Sequence, residues 1–228
     1  SPIDGGNMNR VFPGSPEGSF TEKIADYFNR TLLPMADFVV DFHSGGKTLD
    51  FLPFCCAHVL DDKDQQEKCI AAMKAFNAPH SVMLLEIDAV NMYDTAAENM
   101  GKVFISTELG GGGSTTAYTV EIAKKGIRNI LRHAGITEGD LEVDETLNLD
   151  MPDDNCYIFS ESTGLVEHCV DLGDEVKSGQ LIAKVHNIER TGSPPDEYHA
   201  KIDGIFTGKH FPGLVVNGDF LGVIAVPV

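Results

Sequence analysis

The sequence predicts an α/β unit with a mostly parallel or mixed sheet over residues 1–136, an acidic connector over 137–154, and a small all-β barrel over 155–228. Three observations carry this. Short apolar runs alternate with amphipathic helical stretches through the first part of the chain. From Thr137 to Asn155 the chain turns acidic and loses helical period. Beyond it, short apolar segments recur at an offset of 39 to 40 residues with no helical pattern between them.

Residues 1–14 are turn-rich, with Pro2, Gly5, Gly6, Pro13 and Gly14, and read as a loop that specific contacts must hold. Chain termini usually carry dispensable residues, so preceding sequence is expected. Ser19-Phe20-Thr21-Glu22 is a capping box; Ile24, Tyr27, Phe28 and Leu32 follow at helical spacing as an expected core stripe until Pro34. Phe38-Val39-Val40 begins a buried strand ending at His43. After an apolar stretch, Leu49 to Phe54, the span Asp61 to Phe76 reads as a helix with Ile70, Met73 and Phe76 inward. Val82 to Leu85 and Val103 to Glu108 are further strands. From Val120, the residues Ala123, Ile127, Ile130, Leu131 and Ala134 give a long amphipathic helix closed by Gly135.

In the all-β part, Gly164-Leu165-Val166 and then Val176 to Ile182 are echoed by Gly204-Ile205-Phe206 and then Val215 to Leu221. Two hairpin units related by a pseudo-twofold axis would bury each other's apolar faces as a flattened barrel.

With 35 acidic against 17 basic side chains, the net charge of -18 repels nucleic acid and anionic membrane surfaces, so neither is an expected partner. An anionic substrate must then be held by a few local cations, which makes single arginines informative. Cys55, Cys56, Cys69, Cys156 and Cys169 form no C-x-x-C pair and read as free thiols of a reducing compartment. No long apolar run and no signal-type start appear, so a cytoplasmic location is expected.

His43 and Glu108 are the first candidate functional residues. Each ends a strand and is followed by glycines, and the C-terminal edge of an α/β sheet is where ligands bind. His43 reads either as a metal ligand or as a histidine satisfied at a strand end. Glu108 reads as a functional carboxylate or as a salt-bridged one. Gly110 to Gly113 lack a G-K-[ST] ending, so a flexible wall of the site is expected there rather than a phosphate loop.

Asn9-Arg10 with Val11-Phe12-Pro13-Gly14, Asp41-Phe42-His43-Ser44-Gly45 and Thr107-Glu108-Leu109-Gly110-Gly111 together resemble the succinylglutamate desuccinylase/aspartoacylase family of zinc carboxypeptidase-like deacylases. Pro2-Ile3-Asp4-Gly5-Gly6-Asn7 narrows the resemblance to a deacetylase subgroup within it. The resemblance implies a carboxypeptidase-like α/β domain and a lipoyl/biotinyl-like β-barrel that narrows the site entrance. It implies one Zn2+ per intact site, with His43 as one of three ligands, Glu108 as general base, Asn9 and Arg10 holding the substrate's carboxylate, and Asp41 supporting the ligand. The substrate class it implies is a small N-acyl amino acid; it leaves the acyl group and a homo-oligomer open.

The sequence departs from the family pattern in one respect. The family's other two ligands come from an H-x-x-E motif ahead of the N-R pair, and neither it nor the arginine that polarises the scissile carbonyl is present. His186-Asn187-Ile188-Glu189 fits the letters but lies in the β part; His58 with Asp61 and His168 with Asp171 serve no better. Weak zinc binding by these 228 residues is therefore expected. The turn from Ile188 to Asp196 lacks the exposed lysine that biotinyl and lipoyl carriers modify, and Lys201 precedes a strand, so no covalent cofactor is expected. The alternative to a deacylase is a non-catalytic binding or scaffold protein that has lost the metal. The joint presence of His43, Glu108, Asn9 and Arg10 speaks against it.

Overall fold

The computed structural model describes residues 1–85, 89–190 and 192–228. Thr191, within the turn Ile188 to Asp196, lies outside the described residues.

The opening loop is held as its composition requires. The Asp4 carboxylate accepts the hydroxyl and backbone N–H of Thr21, at 2.6 and 2.7 Å, and Gly14 lies so close to the first helix that a Cβ there would meet Asp26 N at 2.2 Å. That helix, α1 (Phe20–Tyr27), has the predicted capping box between Ser19 and Glu22. It continues through a π turn (Phe28–Leu32) into α2 (Leu33–Met35). The extra residue of the π turn rotates the buried face. Thr21, Ala25, Asp26 and Leu33 point inward, while Tyr27 and Leu32 are exposed, so the expected core stripe is corrected.

The chain then alternates between strands and helices: β1 (Phe38–His43), β2 (Leu49–Phe51), β3 (Phe54–His58), α3 (Lys63–Phe76), β4 (His80–Leu84), α4 (Tyr93–Asn99), β5 (Val103–Glu108) and α5 (Ala117–His133). Here β1 runs parallel to β5, β5 antiparallel to β3, and β3 parallel to β4, so the sheet is mixed. Strand β3 and helix α4 are not evident in the sequence pattern.

Strand alternation divides this sheet cleanly. Cys55, Ala57, Val103 and Ile105 face α3 and α5, burying Cys69, Met73, Phe76, Ile122 and Ile130 in one cluster. Each large side chain fully buried there stabilises the fold by roughly 1.5–3 kcal/mol. Gly126 lets α5 approach, since a Cβ would lie 2.2 Å from the Phe76 ring. The other face carries Asp41, His43, Ser106, Glu108, Phe54, Val82 and Leu84, all of which line one cavity.

The acidic stretch is not a solvated connector throughout. Leu147–Asp150 forms β6, parallel to β4, and Glu142 and Asp144 pair with Arg128, Arg132 and Lys125 of α5. The remaining strands are β7 (Tyr157–Phe159), β8 (Gly164–His168), β9 (Glu175–Val176), β10 (Leu181–His186), β11 (Asp196–His199), β12 (Gly204–His210), β13 (Leu214–Val215) and β14 (Phe220–Pro227). Pairing of β14 with β6 and of β12 with β2 ties them to the first sheet.

The sequence repeat appears as reciprocal pairing. Gly164 of β8 pairs with Val215 of β13, and Gly204 of β12 with Val176 of β9. Both repeat-opening glycines are close-packed: a Cβ on Gly164 would meet His186 O at 2.2 Å, and one on Gly204 would meet Ala225 O at 2.5 Å. Ile158, Val176, Ile182, Phe206, Val215 and Leu221 fill the core between the repeats.

Candidate active site

His43 and Glu108 end adjacent strands in register, so their side chains emerge on the same face, and His43 Nδ1 lies 3.2 Å from Glu108 Oε1. Thr107, fully buried on the opposite face, fixes the backbone beneath them. Its hydroxyl accepts the His43 N–H at 3.1 Å and donates to the His43 carbonyl at 3.2 Å. The pairing runs on past the strand ends through Leu109 N to His43 O and Gly45 N to Gly110 O.

The glycine loop is a packed wall, which corrects the expectation of a flexible one. Gly112 N donates to Leu49 O and Gly113 N to Gly46 O, at 3.0 and 2.5 Å. A Cβ on Gly111 would lie 1.9 Å from Leu49 O.

Glu108 Oε2 is buried without a hydrogen-bond partner among the described residues. Burial pushes the Glu108 carboxyl up, while the hydrogen bond with His43 pulls it back; the same bond raises His43. Asp41 lies on the same face, paired with Ser106, and burial raises its carboxyl. It makes no hydrogen bond to His43: Glu108, not Asp41, contacts the ring.

Asn9 and Arg10 come from the other side, on a short 3-10 turn (Met8–Arg10) capped by Asn7. Asn9 Oδ1 accepts the backbone N–H of Tyr93 at 2.7 Å, which fixes the amide and turns its NH₂ group away from α4. Arg10 Nη1 donates to Asn9 O at 2.6 Å. All five candidate residues, Asn9, Arg10, Asp41, His43 and Glu108, line one cavity of about 520 Å³.

The same cavity contains groups no motif marks. Phe51, Tyr157, Phe159 and Phe220 form an aromatic side, with Phe159 and Phe220 centroids 4.4 Å apart. Tyr157 Oη donates to Leu85 O at 2.5 Å, joining β7 to the end of β4. His58 is buried against Glu98, 2.9 Å from Nδ1 to Oε1, and Asp94 opens α4 at the cavity wall. The substitute H-x-x-E does not assemble, because His186 pairs with Glu167 at 2.6 Å.

Among the described residues no group of three His, Cys, Asp or Glu side chains is arranged to hold a metal ion. His43 is a fitting donor beside an unpartnered carboxylate oxygen, but a catalytic zinc takes three protein ligands. These residues alone do not complete such a site.

The profile of the succinylglutamate desuccinylase/aspartoacylase catalytic domain matches residues 1–134. The chain belongs to this family. Within the succinylglutamate desuccinylase/aspartoacylase family, it is 52% identical over 227 residues to N-alpha-acetyl-L-2,4-diaminobutyric acid deacetylase of Halomonas elongata, an alignment covering 99% of this chain and 66% of that protein. The product-bound ectoine utilization protein EutE (DoeB) from Ruegeria pomeroyi superimposes with a TM-score of 0.97 at 62% identity, covering 99% of this chain and 69% of that one. A succinylglutamate desuccinylase/aspartoacylase from Rhodobacter sphaeroides gives 0.93 at 34% identity, over 100% and 70%. The mixed α/β sheet is thus the fold of the family. No helix among the described residues is long and apolar enough to cross a membrane.

Proposed function

We propose that this chain carries part of the active site of a deacylase that hydrolyses the linear amide of a small N-acyl amino acid. The observation that supports it most is the convergence of Asn9, Arg10, His43 and Glu108 on one cavity in a family member. The named activity of the Halomonas elongata relative, deacetylation of N-alpha-acetyl-L-2,4-diaminobutyric acid, supports an acetyl group as the one removed.

In this reading Arg10 forks onto the substrate carboxylate and the Asn9 NH₂ adds a hydrogen bond, which orients the amide toward the strand ends. Glu108, its carboxyl raised by burial, takes a proton from the attacking water and delivers it to the leaving amine. Zinc, with His43 as one ligand, would supply a more acidic water and a polarised carbonyl. Among the described residues no group of three such side chains completes its coordination. Asp41 adds negative charge behind His43.

Residues 155–228 form, in the same reading, a lipoyl/biotinyl-like domain beyond the 137–154 segment. Tyr157, Phe159 and Phe220 bring its aromatic side into the cavity and narrow it around a small substrate. Acetate release from N-acetyl amino acids by the zinc-supplied product of the chain's reading frame tests the proposal; no release contradicts it.

A further inference from the structure

Two histidines grip the turn that joins β12 to β13. His168, which ends β8, has its Nε2 2.8 Å from the His210 carbonyl on one side of residues 211–213, and His210 Nε2 lies 2.9 Å from the Leu214 carbonyl on the other. A carbonyl oxygen only accepts, so each Nε2 carries the proton and donates it. In the neutral ring this leaves His168 Nδ1 as a bare acceptor. That atom is buried and has no hydrogen-bond partner among the described residues. A second proton on the ring must go there, where it would aim an N–H at no acceptor in a place water does not reach.

The clasped turn stands behind the cavity. Phe211 donates its backbone N–H to Thr48 O, and His210 pairs with Leu49 of β2, whose carbonyl receives the Gly112 N–H. A Cβ on Gly112 would lie 2.6 Å from the Phe211 ring. From the other side, Val166 of β8 donates its N–H to Gly213 O. Leu49 lines the cavity, so the turn joins β8 to the wall beside His43 and Glu108.

The surroundings of the ring oppose its protonation. Burial holds His168 below the ordinary 6.5, and the His210 carbonyl works against that effect. Lys209 and His210 on β12 add to the lowering, while Asp171 in the turn after β8 opposes it. Asp50 of β2 sits opposite Lys209, and β10 sets the apolar Ala183 opposite His168.

We propose that His168 and His210 form an acid-sensitive latch, closed while His168 is neutral and released when it is protonated, so that acid frees the 211–213 turn and loosens the Leu49–Gly112 wall of the cavity. The latch is independent of the reaction assigned to the cavity. The folded ring binds its second proton more weakly than the unfolded one does, so the latch contributes fully above pH 6.5 and is lost as pH falls below that value.

The test follows thermal melting and amide hydrogen exchange of the zinc-supplied product of the chain's reading frame from about pH 7.5 to about pH 5, as wild type and as His168→Gln. Glutamine keeps a donor for the His210 carbonyl and does not titrate. Over that range the wild type should lose about 2 °C or more of melting temperature beyond the loss in the variant, which subtracts any weakening of zinc binding common to both. At the acid end, wild-type peptides spanning residues 204–216 should lose protection, corrected for the intrinsic exchange rate, while those of α3 keep theirs. Melting temperatures that stay parallel in the two proteins, at whatever offset, make the His168 contact an ordinary structural bond and overturn the latch. Protection over 204–216 that tracks α3 overturns it as well. Should His168→Gln not fold, exchange in the wild type decides alone, with the same two outcomes.

Discussion

His43 and Glu108 are partners across the parallel β1/β5 pair, with His43 Nδ1 3.2 Å from Glu108 Oε1. Register alone puts them on one face. Thr107 holds the His43 backbone from the other face, so the pair is set by the sheet and not by a loop.

If Arg10 forks onto a substrate carboxylate, Arg10→Lys replaces a planar pair of donors with a point charge. Steady-state kinetics should show kcat/KM falling by about 10- to 100-fold. Full kcat/KM in the variant would remove Arg10 from substrate binding.

The packed glycine wall should tolerate no side chain. Gly111→Ala drives a methyl group into the Leu49 carbonyl, which already accepts the Gly112 N–H. Overpacking against backbone costs about 1–3 kcal/mol, so the melting temperature should drop, with activity falling alongside. An unchanged melt would mean that the loop can move aside.

Glu142 receives hydrogen bonds from Arg128 and Arg132, which lower its carboxyl from the ordinary 4.5 to about 2. Its folded pKa is depressed, so its contribution is present above pH 4.5 and is lost as pH falls toward about 2. Glu142→Gln should flatten the acid limb of the stability curve in that window, more visibly at low salt. An acid limb identical to wild type would show that the three-residue cluster adds nothing.

Much of the candidate site's geometry is legible in the sequence because strands that end in a polar residue followed by glycine announce both the strand and the edge at which the cavity opens. His43 and Glu108 are of that kind. Strand β3 escapes the pattern because Phe54 to His58 are all buried, leaving no alternation to read. Helix α4 is only seven residues long, too short for a helical period to stand out, and β6 is hidden by its acidic neighbours. The Tyr27 and Leu32 stripe fails because α1 turns Thr21, Ala25 and Asp26 inward instead, and in the π turn that follows Leu32 stays exposed while the next residue, Leu33, is buried. His58 and Asp94 belong to no motif; only the sheet's alternation and the placement of α4 bring them to the cavity. The position of Asp41 beside His43 is visible in sequence, whereas the contact of the His43 ring with Glu108 instead depends on the β1/β5 register.

If His43 is one ligand of a zinc site, His43→Ala should reduce zinc per chain to near zero, measured by elemental mass spectrometry on the product of the chain's reading frame. Treatment with a chelator should do the same to the unaltered protein and abolish turnover, with zinc restoring it. Zinc content that survives His43→Ala would place the metal elsewhere.

Acetate release from Nα-acetyl-L-2,4-diaminobutyrate by the zinc-supplied product of the chain's reading frame, as wild type and as Glu108→Gln, tests the central claim most directly. The account predicts turnover in the wild type and a loss of about 100-fold or more in Glu108→Gln, with binding of the product amino acid retained. Equal turnover in the two proteins, or none in the wild type, would contradict it.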